Sequence, residues 1–193
     1  YHITDPEVLR KLSVACLNQQ AASTAQQMVV FVTRQDLHRK RERAMLALET
    51  GNVQKNSPKE KQEARLKRWQ LYYGRVMPFL YARFFGLLGL VRKAIVNIVG
   101  LFRPITYQVS EGDMKVVVHK TCALAAQTFM LAMSSEGYDT CPMEGFDSRR
   151  VKRILKLPYV AQINMIVSCG MRAEGVVWGD RVRVPFDEVY TRV

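Results

Sequence analysis

The segment Thr140-Cys141-Pro142-Met143-Glu144-Gly145-Phe146-Asp147 separates two stretches of helical pattern and determines how the rest of the chain is interpreted. The apolar stretch from Asp113 to Gly137 precedes it, and the basic stretch from Ser148 to Leu157 follows it. Pro142 lacks an amide donor and has a fixed φ, so a helix cannot continue through it. Gly145 permits a left-handed turn or a close approach of the backbone to a flat ligand. The pattern predicts a loop at the mouth of a site, although an ordinary connection between two helices has the same composition.

Length and composition are typical of a globular protein. The 193 residues suit one domain, or one domain with a large insertion, and 48% of them are hydrophobic. The four cysteines show no C-x-x-C spacing, which argues against a zinc site or a disulfide framework and favours a reducing compartment. Cys141, beside the central loop, is interpreted as a packed thiol, with a reactive thiol as the alternative.

Positive charge is concentrated in one region. The net charge is +12, and residues 34–103 contribute +11 of it, with 16 Lys or Arg against 5 Asp or Glu. Such a region attracts anions, a phospholipid surface or nucleic acid. The start of the chain has neither a basic segment nor an apolar segment of the kind found in a signal peptide. Because the first residue is Tyr1 rather than Met, we expect the chain to be part of a longer protein.

Several elements follow from local pattern. Asp5 and Pro6 predict a helix start, with Asp5 as N-cap, and this helix should extend to about Leu17. The apolar runs Met28–Thr33 and Ile163–Gly170 predict buried strands, the second of them central in the sheet.

The basic region is expected to be helical. A charged helix from Asp36 to about Glu49 should end at a break over residues 51–56. Ser57-Pro58-Lys59-Glu60 resembles a capping box that starts the next helix, which should reach about Tyr73.

Residues 77–105 are strongly apolar but are interrupted by Arg83, Arg92-Lys93 and Arg103. Each uncharged run is shorter than the roughly 18–20 residues that a membrane-spanning helix needs. The segment is amphipathic enough either to cover the core or a ligand pocket, or to lie on a membrane surface. Its glycines argue against a single straight helix.

The next helix, capped by Ser110-Glu111-Gly112-Asp113, should extend to about Glu136. Apolar residues occupy nearly every face of it, which is typical of a helix in the middle of a fold or at a subunit interface. His119 lies on this helix and is interpreted as a structural residue, outside the site.

Residues 141–147, Cys-Pro-Met-Glu-Gly-Phe-Asp, resemble the Pro-Ile-Glu-Gly-Phe segment of the FMN-dependent nitroreductase family. The resemblance extends through the helix segment 123–132, the strand 163–170 and the ending 181–189, and it covers residues 113–193 well and residues 1–33 loosely. It implies an α+β, three-layer fold with a central, mostly antiparallel sheet flanked by helices. Residues 1–33 and 106–193 would form the flavin-binding domain, and residues 34–105 a basic helical insertion or lid.

The resemblance also implies a cofactor site. In the family, the loop corresponding to Pro142, Met143, Glu144 and Gly145 lies against the flavin ring and offers backbone N–H groups to its N5 and O4 edge. A pair of basic residues before a proline grips the FMN phosphate, and Arg181 and Arg183 occupy that place here. Guanidinium groups suit phosphate because they bind it bidentately, although two solvated surface arginines would have the same spacing. The family's N-terminal Arg-Arg-Ser-type and Asn-x-Gln-Pro-Trp-type motifs are not in this sequence and would precede Tyr1, so either they lie upstream of it or the protein lacks about half of the family's flavin site.

The resemblance implies an FMN-dependent oxidoreductase that reduces nitroaromatic, quinone or similar small-molecule acceptors with NAD(P)H by a ping-pong mechanism. No catalytic side chain and no metal site is assigned, because no nucleophile–base, nucleotide-loop or metal motif is present. A cytoplasmic homodimer is expected, and binding of a specific nucleic acid is not. Attachment to a membrane surface through residues 77–105 is left open. The alternative is a non-catalytic basic module that binds anionic membrane or nucleic acid through residues 34–103.

Overall fold

The computed structural model describes residues 1–176, 179–180 and 182–193. Its centre is a four-stranded antiparallel sheet with the strand order β1-β2-β4-β3. The strands are His2–Ile3 (β1), Met28–Thr33 (β2), Asp139–Met143 (β3) and Gln162–Gly170 (β4). The apolar strand β4 is therefore central, as its sequence predicts, and β3 lies at an edge.

Nine α-helices accompany the sheet within the described residues. They are Pro6–Ala15 (α1), Gln20–Ser23 (α2), His38–Asn56 (α3), Lys59–Leu71 (α4), Met77–Tyr81 (α5), Leu87–Gly100 (α6), Glu111–Ser135 (α7), Ser148–Ile154 (α8) and Phe186–Val189 (α9). A 3-10 turn at Gln35–Leu37 leads into α3, and a π-helical turn at Tyr72–Val76 joins α4 to α5.

Helices α1 and α8 cover one face of the sheet, and α7 covers the other. On the first face, Leu12 of α1 and Val151 of α8 share a fully buried core with Met28, Val30 and Ile166 of the sheet. Helix α7 crosses the other face, and Phe129 packs against Phe31 of β2 with ring centroids 5.8 Å apart. The alternation of Val30 and Phe31 between the two faces follows from the two-residue period of a strand. The predicted α+β fold with a central antiparallel sheet is confirmed.

Two helix starts are formed by the capping residues that the sequence predicts. The Asp5 carboxylate accepts a hydrogen bond from the Val8 amide at 2.9 Å, although α1 ends at Ala15, two residues before the predicted end. At α7, the Ser110 hydroxyl accepts from the Asp113 amide at 3.0 Å, and the Asp113 carboxylate accepts from the Ser110 amide at 3.0 Å. These caps satisfy amides that have no partner inside the helix.

Two predictions in the basic region are wrong. Helix α3 continues through the expected break at residues 51–56, because glycine in a helix weakens it by only about 1 kcal/mol and does not end it. Helix α4 begins without a side-chain cap. The Ser57 hydroxyl instead accepts from the Arg65 guanidinium at 2.7 Å, so it is not used for capping.

The prediction for the central segment needs a correction as well. Residues 139–143 form strand β3, not a loop that directly joins two helices. Pro142 is accommodated because β3 pairs with β4 on one side only, and an edge strand has amide positions that need no partner in the sheet. The expected loop is therefore shorter and begins after Met143.

Candidate functional site

Pro142 and Met143 are the last two residues of β3, and Glu144 and Gly145 follow directly. The Met143 side chain is buried in the core below the sheet, whereas Pro142, Glu144 and Gly145 are exposed. The buried methionine fixes the end of the strand, and the next two residues extend the backbone into solvent.

The amides of Glu144 and Gly145 are both free. Neither donates a hydrogen bond to any acceptor in the described part of the chain. Backbone amides are strong donors that are almost always paired when they are buried, so two adjacent free ones at the surface can serve a ligand. Gly145 does not adopt the left-handed conformation, and each of the two exposed N–H groups is available singly to an acceptor on a ligand.

The loop is held in place from the first quarter of the chain. The Gln19 side-chain amide donates to the Gly145 carbonyl at 2.6 Å, and the Asp147 amide donates to the Ala15 carbonyl at 2.7 Å. A β-carbon at position 145 would lie 3.3 Å from Gln19 Nε2, so the contact leaves little room for a side chain. The sequence gives no signal for Gln19, because 126 residues separate it from its partner.

Asp147 ends the loop and starts α8. Its carboxylate accepts hydrogen bonds from the amides of Arg149 at 3.0 Å and Arg150 at 3.1 Å, and it pairs with the Arg150 guanidinium at 3.2 Å. These bonds, above all the one from the Arg150 amide, lower the pKa of Asp147 below its usual value. The cap is therefore charged at neutral pH, and it fixes the loop on its second side.

The two predicted phosphate ligands lie in the C-terminal segment. Arg183 is exposed, and its guanidinium donates to the carbonyl of the neighbouring Val182 at 2.7 Å. Arg181 lies outside the described residues. Among the residues that the structure describes, no hydrogen bond joins Arg183 to residues 142–145. The convergence of the arginine pair and the loop on one ligand therefore stays a prediction.

Two side chains near the sheet have roles that the structure resolves. His119 on α7 is hydrogen-bonded to Gln162 at 2.9 Å and to Asn164 at 3.2 Å, both on β4. These hydrogen bonds connect helix α7 to strand β4, in keeping with the interpretation of His119 as a structural residue. Cys141, in contrast, is exposed rather than packed, so the interpretation as a packed thiol is wrong.

Two cavities lie in the helical region, away from the loop. One, of about 350 Å³, lies between α3 and α4 next to Trp69, and the other, of about 400 Å³, lies between α5 and α6 next to Phe79 and Arg92. Neither of these two is lined by residues 142–145. The loop residues Pro142, Glu144 and Gly145 are exposed and belong to neither of these two cavities.

Comparison with known proteins gives one family. The model of the nitroreductase family matches residues 1–171. Protein DrgA of Synechocystis is 42% identical over 55 residues, which are 28% of this chain and 26% of DrgA. The chain thus aligns with about a quarter of the length of the curated relatives that it matches.

Solved structures share the fold. The ydfN protein of Bacillus subtilis superposes with a TM-score of 0.66 at 17% identity, over 100% of this chain and 76% of that protein. A protein of Exiguobacterium sibiricum, solved in complex with FMN, superposes with a TM-score of 0.60 at 17% identity, over 100% of this chain and 75% of that one. At such identities the superpositions establish a common fold.

Proposed function

Because the chain belongs to the nitroreductase family, we propose that it binds FMN and works as an NAD(P)H-dependent oxidoreductase. The acceptors would be nitroaromatics, quinones or similar small molecules, reduced by a ping-pong mechanism in a cytoplasmic enzyme. The fold shared with a protein solved in complex with FMN supports the choice of cofactor. When bound, FMN would supply the hydride chemistry that the chain's own side chains lack.

The observation that carries this proposal is the pair of free amides at Glu144 and Gly145. A flavin ring offers acceptors along its reactive edge and gains negative charge on reduction. Fixed backbone donors aimed at such an edge stabilise that charge without reorganising during the reaction. The residues present therefore fit the cofactor at this loop.

Other residues of the chain would position the cofactor. Gln19 and Asp147 hold the loop so that its donors keep their direction. Arg181 and Arg183 would bind the phosphate through charge-assisted hydrogen bonds. Pro142, Glu144 and Gly145 are exposed in the described part of the chain, and a partner subunit would provide a second wall for the flavin.

Binding, reduction and reoxidation of the flavin test this proposal together. Full-length protein is expected to be yellow or to take up added FMN, to bleach with NADPH or NADH in the absence of oxygen, and to regain its colour with a quinone or a nitroaromatic. Glu144→Pro removes one amide donor and is expected to weaken FMN binding about tenfold or more. Glu144→Ala keeps that amide and serves as the matched control. A colourless protein that takes up no FMN would refute the proposal.

We also propose that the protein is a homodimer that uses the outer side of α7. Only Met114 and Ala126 are buried on this helix, and Val116, Leu124 and Leu131 are exposed along one side of it. The helix is also the one in the described residues that is long and apolar enough to cross a membrane. One side of α7 packs against β2 and β4, and we propose that a partner subunit covers the other side.

The dimer is tested by mass in solution. Light scattering is expected to give twice the chain mass for the wild type, and Leu124→Glu with Leu131→Glu should shift the protein to monomers, because the charges would be desolvated at the contact. Leu48→Glu, at an exposed position of α3, should leave the mass unchanged. A wild type that stays monomeric at high concentration would rule out this contact.

A further inference from the structure

Helix α6 exposes its apolar face and buries a charged side chain, which is the opposite of an ordinary surface helix. Its inward face holds Gly89, Arg92 and Val96, and the Arg92 side chain is only 1% exposed. At 100° per residue, its outward apolar residues fall within an arc of about 140°. All of them are exposed: Leu87, Leu90, Val91, Ala94, Ile95 and Ile98. A soluble helix normally turns such a face toward the core, so this one is built to meet an apolar environment outside the chain.

The orientation of α6 is fixed by its inward contacts. The Arg92 guanidinium donates to the carbonyls of Ala82 and Val109 and lies over the Phe79 ring, 5.4 Å from its centroid. A β-carbon on Gly89 would lie 3.0 Å from the Glu111 amide nitrogen, so the helix approaches the start of α7 closely. Rotating α6 to bury its apolar face would break these contacts.

An aromatic turn precedes α6. Phe85 is 100% exposed and has a φ of 48°, a left-handed conformation that is strained for a bulky residue, and Gly86 follows with a φ of 84°. The Phe84 amide donates to the Glu111 carboxylate at 2.8 Å, which anchors the turn to α7. The structure thus holds a phenyl ring in solvent at a conformational cost. At the far end of α6, Leu101 and Phe102 are exposed as well.

Basic residues predominate around this face, although the Glu111 carboxylate lies at its edge, where it accepts a hydrogen bond from the Phe84 amide. Residues 64–110 contain eight Lys or Arg and no Asp or Glu. Three exposed basic residues flank the apolar face: Arg83 before helix α6, Lys93 on the helix beside the apolar arc, and Arg103 after the helix. This combination is typical of helices that lie in the interface of an anionic membrane, where each basic residue adds to the attraction. A second copy of the same face would bring like charges together, so a lipid surface is the better partner.

We propose that the Phe84–Phe85 turn and the outward face of α6 dock on an anionic phospholipid bilayer. The helix lies along the surface with its apolar side chains in the boundary between headgroups and acyl chains, and it does not cross the bilayer, since its 14 residues span roughly 21 Å. This docking is independent of flavin binding, because it uses none of the loop residues.

Co-sedimentation with lipid vesicles tests the proposal. The full-length protein is expected to bind vesicles that contain phosphatidylglycerol, to bind those of pure phosphatidylcholine much more weakly, and to dissociate as salt rises. Phe85→Asn combined with Ile98→Gln is expected to lower the affinity for the anionic vesicles about tenfold or more. Asn is chosen because it tolerates the left-handed conformation. Leu48→Gln, on α3, is the control and should bind like the wild type.

Three results would overturn the docking surface. The first is that the wild type does not bind anionic vesicles. The second is that it binds both lipids equally at all salt concentrations, and the third is that the double variant binds as well as the wild type. Light scattering on the same samples detects the competing partner. If the double variant dissociates an oligomer of the wild type and neither protein binds vesicles, a second copy covers the face. Circular dichroism melting curves establish that the variants are folded.

Discussion

Replacement of Arg183 by alanine is expected to weaken FMN binding by about 10–100-fold, because a hydrogen bond to a charged group contributes about 1.5–3 kcal/mol. The guanidinium is exposed and donates a hydrogen bond to the carbonyl of the neighbouring Val182, so it can turn to a phosphate without breaking a long-range contact. Fluorescence titration of the apoprotein with FMN measures the change. Stability should be unaffected, since the side chain is not part of the core.

Riboflavin distinguishes the role assigned to Arg183 from a general disturbance. It has the same ring as FMN but no phosphate, so Arg183→Ala should leave its affinity unchanged. Arg183→Lys should recover part of the FMN affinity, because it restores the charge but not the bidentate geometry. Arg192→Ala, also exposed in the C-terminal segment, is the matched control. An equal loss for FMN and riboflavin would contradict a contact with the phosphate.

Leu12→Ala is expected to lower the free energy of unfolding by about 3 kcal/mol, within the range observed for buried leucines. Leu12 lies on α1 and is 0% exposed, in the core that joins α1 and α8 to the sheet. The same core contains Met143, the residue before the free amides, so the truncation acts on the support of the candidate site. Urea denaturation followed by circular dichroism measures the loss.

Leu48→Ala is the matched control, since Leu48 is an exposed leucine of α3. It should change the stability by less than about 0.5 kcal/mol, as is usual for surface substitutions. Similar losses for the two variants would show that α1 does not pack in the core as described.

Elements that depend on neighbouring residues are the ones that the sequence predicts well. Strand β2 has the predicted ends, Met28 and Thr33, because a short β-branched apolar run between polar segments favours a buried strand. The starts of α1 and α7 follow from Asp5 and Ser110, whose side chains bond amides only three residues away. The family resemblance adds the α+β fold, which the pattern of elements alone does not specify.

Features that depend on distant residues are not predictable from a single sequence. Pro142 indicates a loop locally, yet the edge of β4 provides partners for a strand around it. The contact of Gln19 with Gly145 and the burial of Arg92 likewise depend on segments far apart in the chain. For the candidate site, the family resemblance predicts Glu144 and Gly145, and the structure adds Gln19 and Asp147, which hold this loop. The placement of Arg181 and Arg183 beside the same ligand stays a prediction.

The central claim is that the amides of Glu144 and Gly145 serve a flavin. Amide chemical shifts in an NMR titration of the apoprotein with FMN test it most directly. We expect the resonances of these two amides to show the largest downfield proton shifts in the loop, because both form new hydrogen bonds to the ring. If FMN binds and these two resonances do not move while others do, the flavin lies elsewhere and the account of the site is wrong.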